Sequence, residues 1–276
     1  MKPRDFLWLA GLLALAAFIW LRDRTWISSS DEVLPLLAAP AVFLWLGEPW
    51  RGWRKAETTP FPFGLVFAAG ACFLLGMALE VTLLLALGWT LALWAWLRGK
   101  LAPENIFPLR RLLIFPVLAF PWLALDLPSL GWWFRLSAAW SAEHIFQLLG
   151  LAVTRAGTQI VVQNFPVDVS AACAGLKVLQ AMLVAGGLMA FVQAGRSRWY
   201  WVAVAVLPLV AWLANTLRVV MLSTVALTFG AEAASGWFHE WGGWLVLIVM
   251  FGLCGLGFAF LGRMPVTSEQ QHETKT

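Results

Sequence analysis

Three residues in this chain can do chemistry together, and each is set against an apolar run. Cys173 lies at the mouth of one hydrophobic segment, in Val-Ser-Ala-Ala-Cys-Ala-Gly-Leu. Arg218 lies deep within the next, in Ala-Asn-Thr-Leu-Arg-Val-Val, and His239 opens the last, in Gly-Trp-Phe-His-Glu-Trp-Gly-Gly. A thiolate is a nucleophile, and a first-turn cysteine gains thiolate character from the positive end of the helix dipole. Gly175, two positions on, would let a substrate backbone come close. An imidazole can take the thiol proton and return it to a leaving amine. A guanidinium keeps its charge and can hold an oxyanion or a carboxylate. Asn215, three positions before Arg218 on about the same helical face, can orient the arginine or donate a second hydrogen bond. These are the parts of a cysteine acyl-transfer site.

Each residue also has a plainer role open to it. A lone membrane cysteine is commonly a small buried hydrophobe. Arg218 can belong to a structural ion pair, with Glu80 or Asp126 as candidate partners. His239 can be an ordinary interfacial histidine, and Asp168 or Glu232 could orient its ring. Cys72 and Cys254 sit inside apolar runs and read as core residues, so no disulfide framework is expected. His144 and His272 are weaker candidates. No two-histidine metal spacing and no P-loop glycine pattern occurs, so neither metal nor cofactor is expected.

Positioning these groups falls to membrane-spanning elements. The chain is 61% hydrophobic and 12% charged, against about 25% charged residues in a soluble domain. That excludes a soluble globule and makes the class an all-α polytopic membrane protein. Eight apolar runs cover about 6–21, 33–47, 61–79, 81–97, 112–130, 174–194, 199–229 and 240–262. The second contains Pro35 and Pro40, and Pro208 is expected to kink the seventh. The first run lacks a small-residue cleavage site and reads as a retained span. Residues 264–276 form a polar tail on a single membrane domain.

Lys and Arg placement orients the chain. With the N-terminus inside, thirteen basic residues fall in inside segments and four, Arg22, Arg24, Arg135 and Arg155, fall outside. This positive-inside bias accounts for the net charge of +4 without nucleic acid as a partner. It puts both termini in the cytoplasm and Cys173, Arg218 and His239 toward the outer face. The longest outside segment, 131–173, is expected to hold a short amphipathic helix lying on the membrane (132–152) and a β-hairpin (158–169) that feeds into Cys173. The predicted fold is an eight-span helical bundle with both features before the sixth span.

The ordered set Ser-Ala-Ala-Cys-Ala-Gly-Leu, Asn-Thr-Leu-Arg-Val-Val and His-Glu-Trp-Gly-Gly resembles the exosortase/archaeosortase family. By motif the resemblance covers about residues 160–250. It implies a multi-pass transpeptidase or protease of the bacterial cytoplasmic membrane, whose nucleophile matches Cys173 and whose essential arginine and histidine match Arg218 and His239. It further implies exported protein partners with a C-terminal sorting tail: a Pro-Glu-Pro-type motif, a hydrophobic helix and a basic cluster. Ala174 stands where many members carry serine, which leaves the subfamily open. Two other classes compete. A transporter binding an anion at Arg218 would explain Arg218 alone and often carries an inverted repeat, of which none is visible. An envelope-assembly scaffold has no need of a reactive cysteine.

Overall fold

The computed structural model describes residues 3–28, 30–48, 62–101, 103–163, 165–168, 176–230, 232 and 236–263. The chain divides into two compact units, Met1–Leu127 and Pro128–Thr276. The first is helical: α1 (Pro3–Arg22), a 3-10 turn (Thr25–Ser28), α2 (Ser30–Gly47), α3 (Phe63–Ala78), α4 (Thr82–Arg98), α5 (Pro103–Arg111), α6 (Ile114–Leu118) and α7 (Trp122–Asp126). Helix α4 is its hub and packs on α1, α3, α6 and α7. Trp89 donates from its ring to the carbonyl of Leu12 at 2.7 Å, and Lys100 pairs with Asp5 at 2.7 Å. These two contacts fix α1 antiparallel to α4. The fifth apolar run departs from expectation. It is not one rod but two five-residue helices, α6 and α7. Pro116 and Pro121 lie within this run and withhold the N–H groups that a continuous helix needs. Pro128, by contrast, opens a new helix, where its missing donor costs nothing.

The second unit contains α8 (Pro128–Leu148), strands β1 (Val153–Ala156), β2 (Gln159–Val162) and β3 (Phe165–Asp168), then α9 (Leu176–Ala181), a π-helical turn (Met182–Gly186), α10 (Gly187–Ala194), α11 (Tyr200–Phe229) and α12 (Trp237–Arg263). The strands form one antiparallel sheet in the order β1-β2-β3. Ala156 pairs with Gln159 across a two-residue turn, and Gly157 there has φ of 64°. Glycine at that first central position suits a tight hairpin. The expected hairpin is therefore β2–β3, and β1 extends it by a strand.

Helix α8 runs 21 residues, starting and ending four residues before the surface helix expected over 132–152, and it packs against α11. Trp212 on α11 donates to Ser137 at 2.9 Å. A core of Ala138, Ala139, Ala142, Phe146, Ile160, Val162 and Val219 joins α8, the sheet and α11. The small alanines let the two helices come close. Arg155 of β1 pairs with Glu143 of α8 at 2.8 Å, and Arg135 reaches Thr158 at 3.3 Å, so the hairpin is tied along α8.

Four of the described helical stretches are long and apolar enough to cross a membrane: Asp5–Arg22, Leu176–Ala194, Tyr200–Phe229 and Trp241–Arg263. Val33–Gly47, Phe63–Ala78 and Thr82–Arg98 are apolar but shorter. Helix α12 exposes Trp244, Leu245, Ile248, Val249, Leu253, Leu256 and Phe260. In water such a surface would be unstable; hydrocarbon covers it at no cost. Pro208 lies inside α11, which continues through it.

Candidate functional site

Helix α11 is the central rod of the second unit, touching α8, α9, the π turn, α10, α12 and β3. Arg218 stands in its C-terminal half and is half-buried. Against it lies Gly243 of α12. A Cβ built on Gly243 would sit 3.2 Å from Arg218 Nε and 3.3 Å from Cζ. The guanidinium therefore lies on bare backbone of α12. One residue earlier, Gly242 receives the end of Met221 in the same way. Residue 239 is in the first turn of α12, four positions before Gly243. Positions four apart share a helical face, about 6 Å along the axis. The backbone thus carries His239 on the face of α12 that meets Arg218.

The other neighbour of α11 comes into register through Gly186. A Cβ there would run into the side chain of Leu207. Leu176 lies ten residues before Gly186 and Arg218 eleven after Leu207, on rods joined by a short turn and so antiparallel. At about 1.5 Å per residue both offsets come to roughly 15 Å. The start of α9 is therefore level with Arg218. Cys173 and Gly175 lie outside the described residues; in the chain they precede Leu176 by three and one positions.

Asn215 is fully buried, at 0% exposure, and neither its amide oxygen nor its nitrogen finds a hydrogen-bond partner among the described residues. Thr216 Oγ1 is in the same condition. An unsatisfied buried polar group costs about 1–3 kcal/mol. Gln180 of α9 is also buried. Buried polar side chains thus occur on both α9 and α11, within about two turns of Leu176 and Arg218. Sequence reasoning named Asn215 but missed Gln180, Thr216 and the contact of Gly243 with Arg218. Polar residues inside an apolar run were the available signal for the first two; a glycine facing an arginine on another helix leaves no local trace.

The other candidates fall as follows. Asp126 accepts the backbone N–H groups of Thr82 and Leu83 at 2.9 and 2.5 Å and so caps α4. Glu80 sits in the α3–α4 turn with φ of 57°. The backbone of Asp168 pairs with Gln159 at the end of β3. Glu232 is exposed, and its carbonyl accepts the N–H of Gly236 at 3.0 Å. His144 packs against Trp140 with centroids 4.2 Å apart and the rings tilted by 42°. Cys254 is buried, in keeping with a core role, and Cys72 is half-buried. His272 lies outside the described residues.

A family model described as transmembrane exosortase matches residues 20–256. No curated protein and no solved structure matches the chain. The matched stretch includes the whole of α11, the Cys173 segment and the first turns of α12, together with most of the rest of the chain. The chain therefore belongs to the transmembrane exosortase family, a family of membrane proteases and transpeptidases.

Proposed function

We propose that this protein is a cysteine transpeptidase that removes a C-terminal sorting tail from exported proteins. One observation carries the reading: Arg218, the face of α12 bearing residue 239 and the start of α9 stand at one level of three adjoining rods. Cys173 is three residues from that level by chain connectivity, a reach of at most about 11 Å. In the proposed reaction His239 takes the Cys173 proton, and the thiolate attacks a peptide carbonyl in the recognition motif. A C–S bond forms and the carbonyl electrons move to oxygen. Arg218 offsets that negative charge, or holds a carboxylate of the motif. The C–N bond then breaks, the leaving amine takes the proton from His239, and a thioester remains. An incoming amine resolves it by transpeptidation, and water resolves it by hydrolysis.

The membrane part of the reading goes with it. The two units form one domain that crosses the bacterial cytoplasmic membrane eight times, with both termini inside and the site at the outer face. The positive-inside charge pattern and the seven apolar helical stretches of the two units support this path. The remaining crossing is the fifth apolar run, about 112–130, where α6 and α7 lie. Substrates are membrane-tethered exported proteins with an apolar C-terminal helix and a basic end. The test is Cys173→Ala, with tail removal followed on a co-expressed substrate in cells. Processing should stop while the protein still accumulates in the membrane; undiminished processing would rule out a thiol mechanism.

A further inference from the structure

We propose that Gly243 is a positioning residue: its missing side chain is what lets the Arg218 guanidinium lie on α12, one turn from His239. This deepens the proposed reaction and rests on it. The geometry is specific to this position. A Cβ at Gly243 would come within 3.2 Å of Nε and 3.3 Å of Cζ, and 3.6 Å from Nη2. All three are atoms of the planar charged group rather than of its flexible stem. At 3.2 and 3.3 Å the guanidinium has to give way by a few tenths of an ångström. Its neighbours on α12 differ. At Gly242 a Cβ meets only the mobile end of Met221, and at Gly252 and Gly257 it meets nothing within 4 Å. The α11–α12 interface can therefore be disturbed at Gly242 without touching the charge.

A displaced guanidinium acts on two readouts. It stabilises the oxyanion less well, so turnover falls more than substrate affinity. In the proposed reaction that charge also favours the Cys173 thiolate, and loss of its seat on α12 weakens that support. The experiment uses the full chain in membranes, with Cys72 and Cys254 replaced by alanine so that alkylation reports Cys173. Iodoacetamide labelling is measured against pH, and tail removal is measured on the substrate. Gly243→Ala should raise the labelling midpoint and cut kcat at least ten-fold with little change in KM. Gly242→Ala should leave the midpoint in place. A double-mutant cycle with Arg218→Lys adds a second arm: the effect of Gly243→Ala on the midpoint should shrink once the planar group is gone. An unmoved midpoint in Gly243→Ala, equal shifts in both glycine variants, or a full shift in the Arg218→Lys background would each overturn the assignment. Failure of the underlying reaction is separable, since it appears as processing that survives Cys173→Ala.

Discussion

Asn215 is the residue whose chemistry and burial disagree most. Its amide is fully enclosed, yet neither polar atom is satisfied among the described residues. For folding alone this is a liability of about 1–3 kcal/mol. A leucine, with the same branching though a larger volume, should be tolerated, as apolar replacements of buried polar groups often are. Function predicts the opposite direction. Asn215 lies one turn from Arg218, whose charge the site must hold. Asn215→Leu is expected to leave thermal stability unchanged while lowering tail removal by about ten-fold or more. Thermal unfolding in detergent, run beside the cellular processing assay, checks both halves. Much of this was legible from the residue string: Asn-Thr-Leu-Arg in an apolar run announces a polar cavity. Gly243 was not, because its role exists only against a side chain twenty-five positions away.

At the scale of elements, the π turn at Met182–Gly186 joins α9 to α10 through one wide turn. Such turns hold one residue more than an α-helix can place, and they often mark functional positions. Here it separates α9, at the level of Arg218, from α10, which packs on α12. Removing one residue, for example Ala185, lets the rod run as regular α-helix. The five residues of the π turn rotate about as far as four α-helical ones, so α9 keeps its rotation and only the widened turn is lost. The variant is expected to insert and accumulate near normally, since the segment stays apolar, yet to lose processing almost completely. Normal processing in the deletion variant would show that the turn has no part in aiming the site. Sequence periodicity could not reveal this turn, as every residue from 182 to 186 is compatible with a plain helix. Broken helices elsewhere have a local cause in Pro116 and Pro121 of the fifth run, which hydrophobicity alone does not reveal. Likewise Val153–Ala156 was too short and too mixed to read as a strand, and its pairing with β2 gives it its structure.

For the whole molecule, apolar runs carried most of the helix placement. The helices α1 to α4, α9–α10, α11 and α12 begin and end within about three residues of the runs read from sequence. Their ends are set by local signals, such as the Glu-Pro-Trp-Arg and Gly-Arg-Ser-Arg segments, which a membrane-spanning helix cannot contain. The placement of α8 was not legible in that way. Its arginine, serines and glutamate suggested a helix lying at a surface, whereas its alanine face packs it along α11. The relation among α9, α11 and α12 came from long-range contacts at Gly186, Gly242 and Gly243. The proposed chemistry requires the thiol of residue 173 to reach residue 239. In a chain lacking Cys72 and Cys254, His239→Cys supplies a second thiol opposite Cys173, and Leu261→Cys supplies one about 33 Å farther along α12. Mild oxidation in membranes should join 173 to 239 rapidly and leave 173 and 261 apart. A disulfide between 173 and 261, or none between 173 and 239, would contradict the convergence on which the proposed chemistry depends.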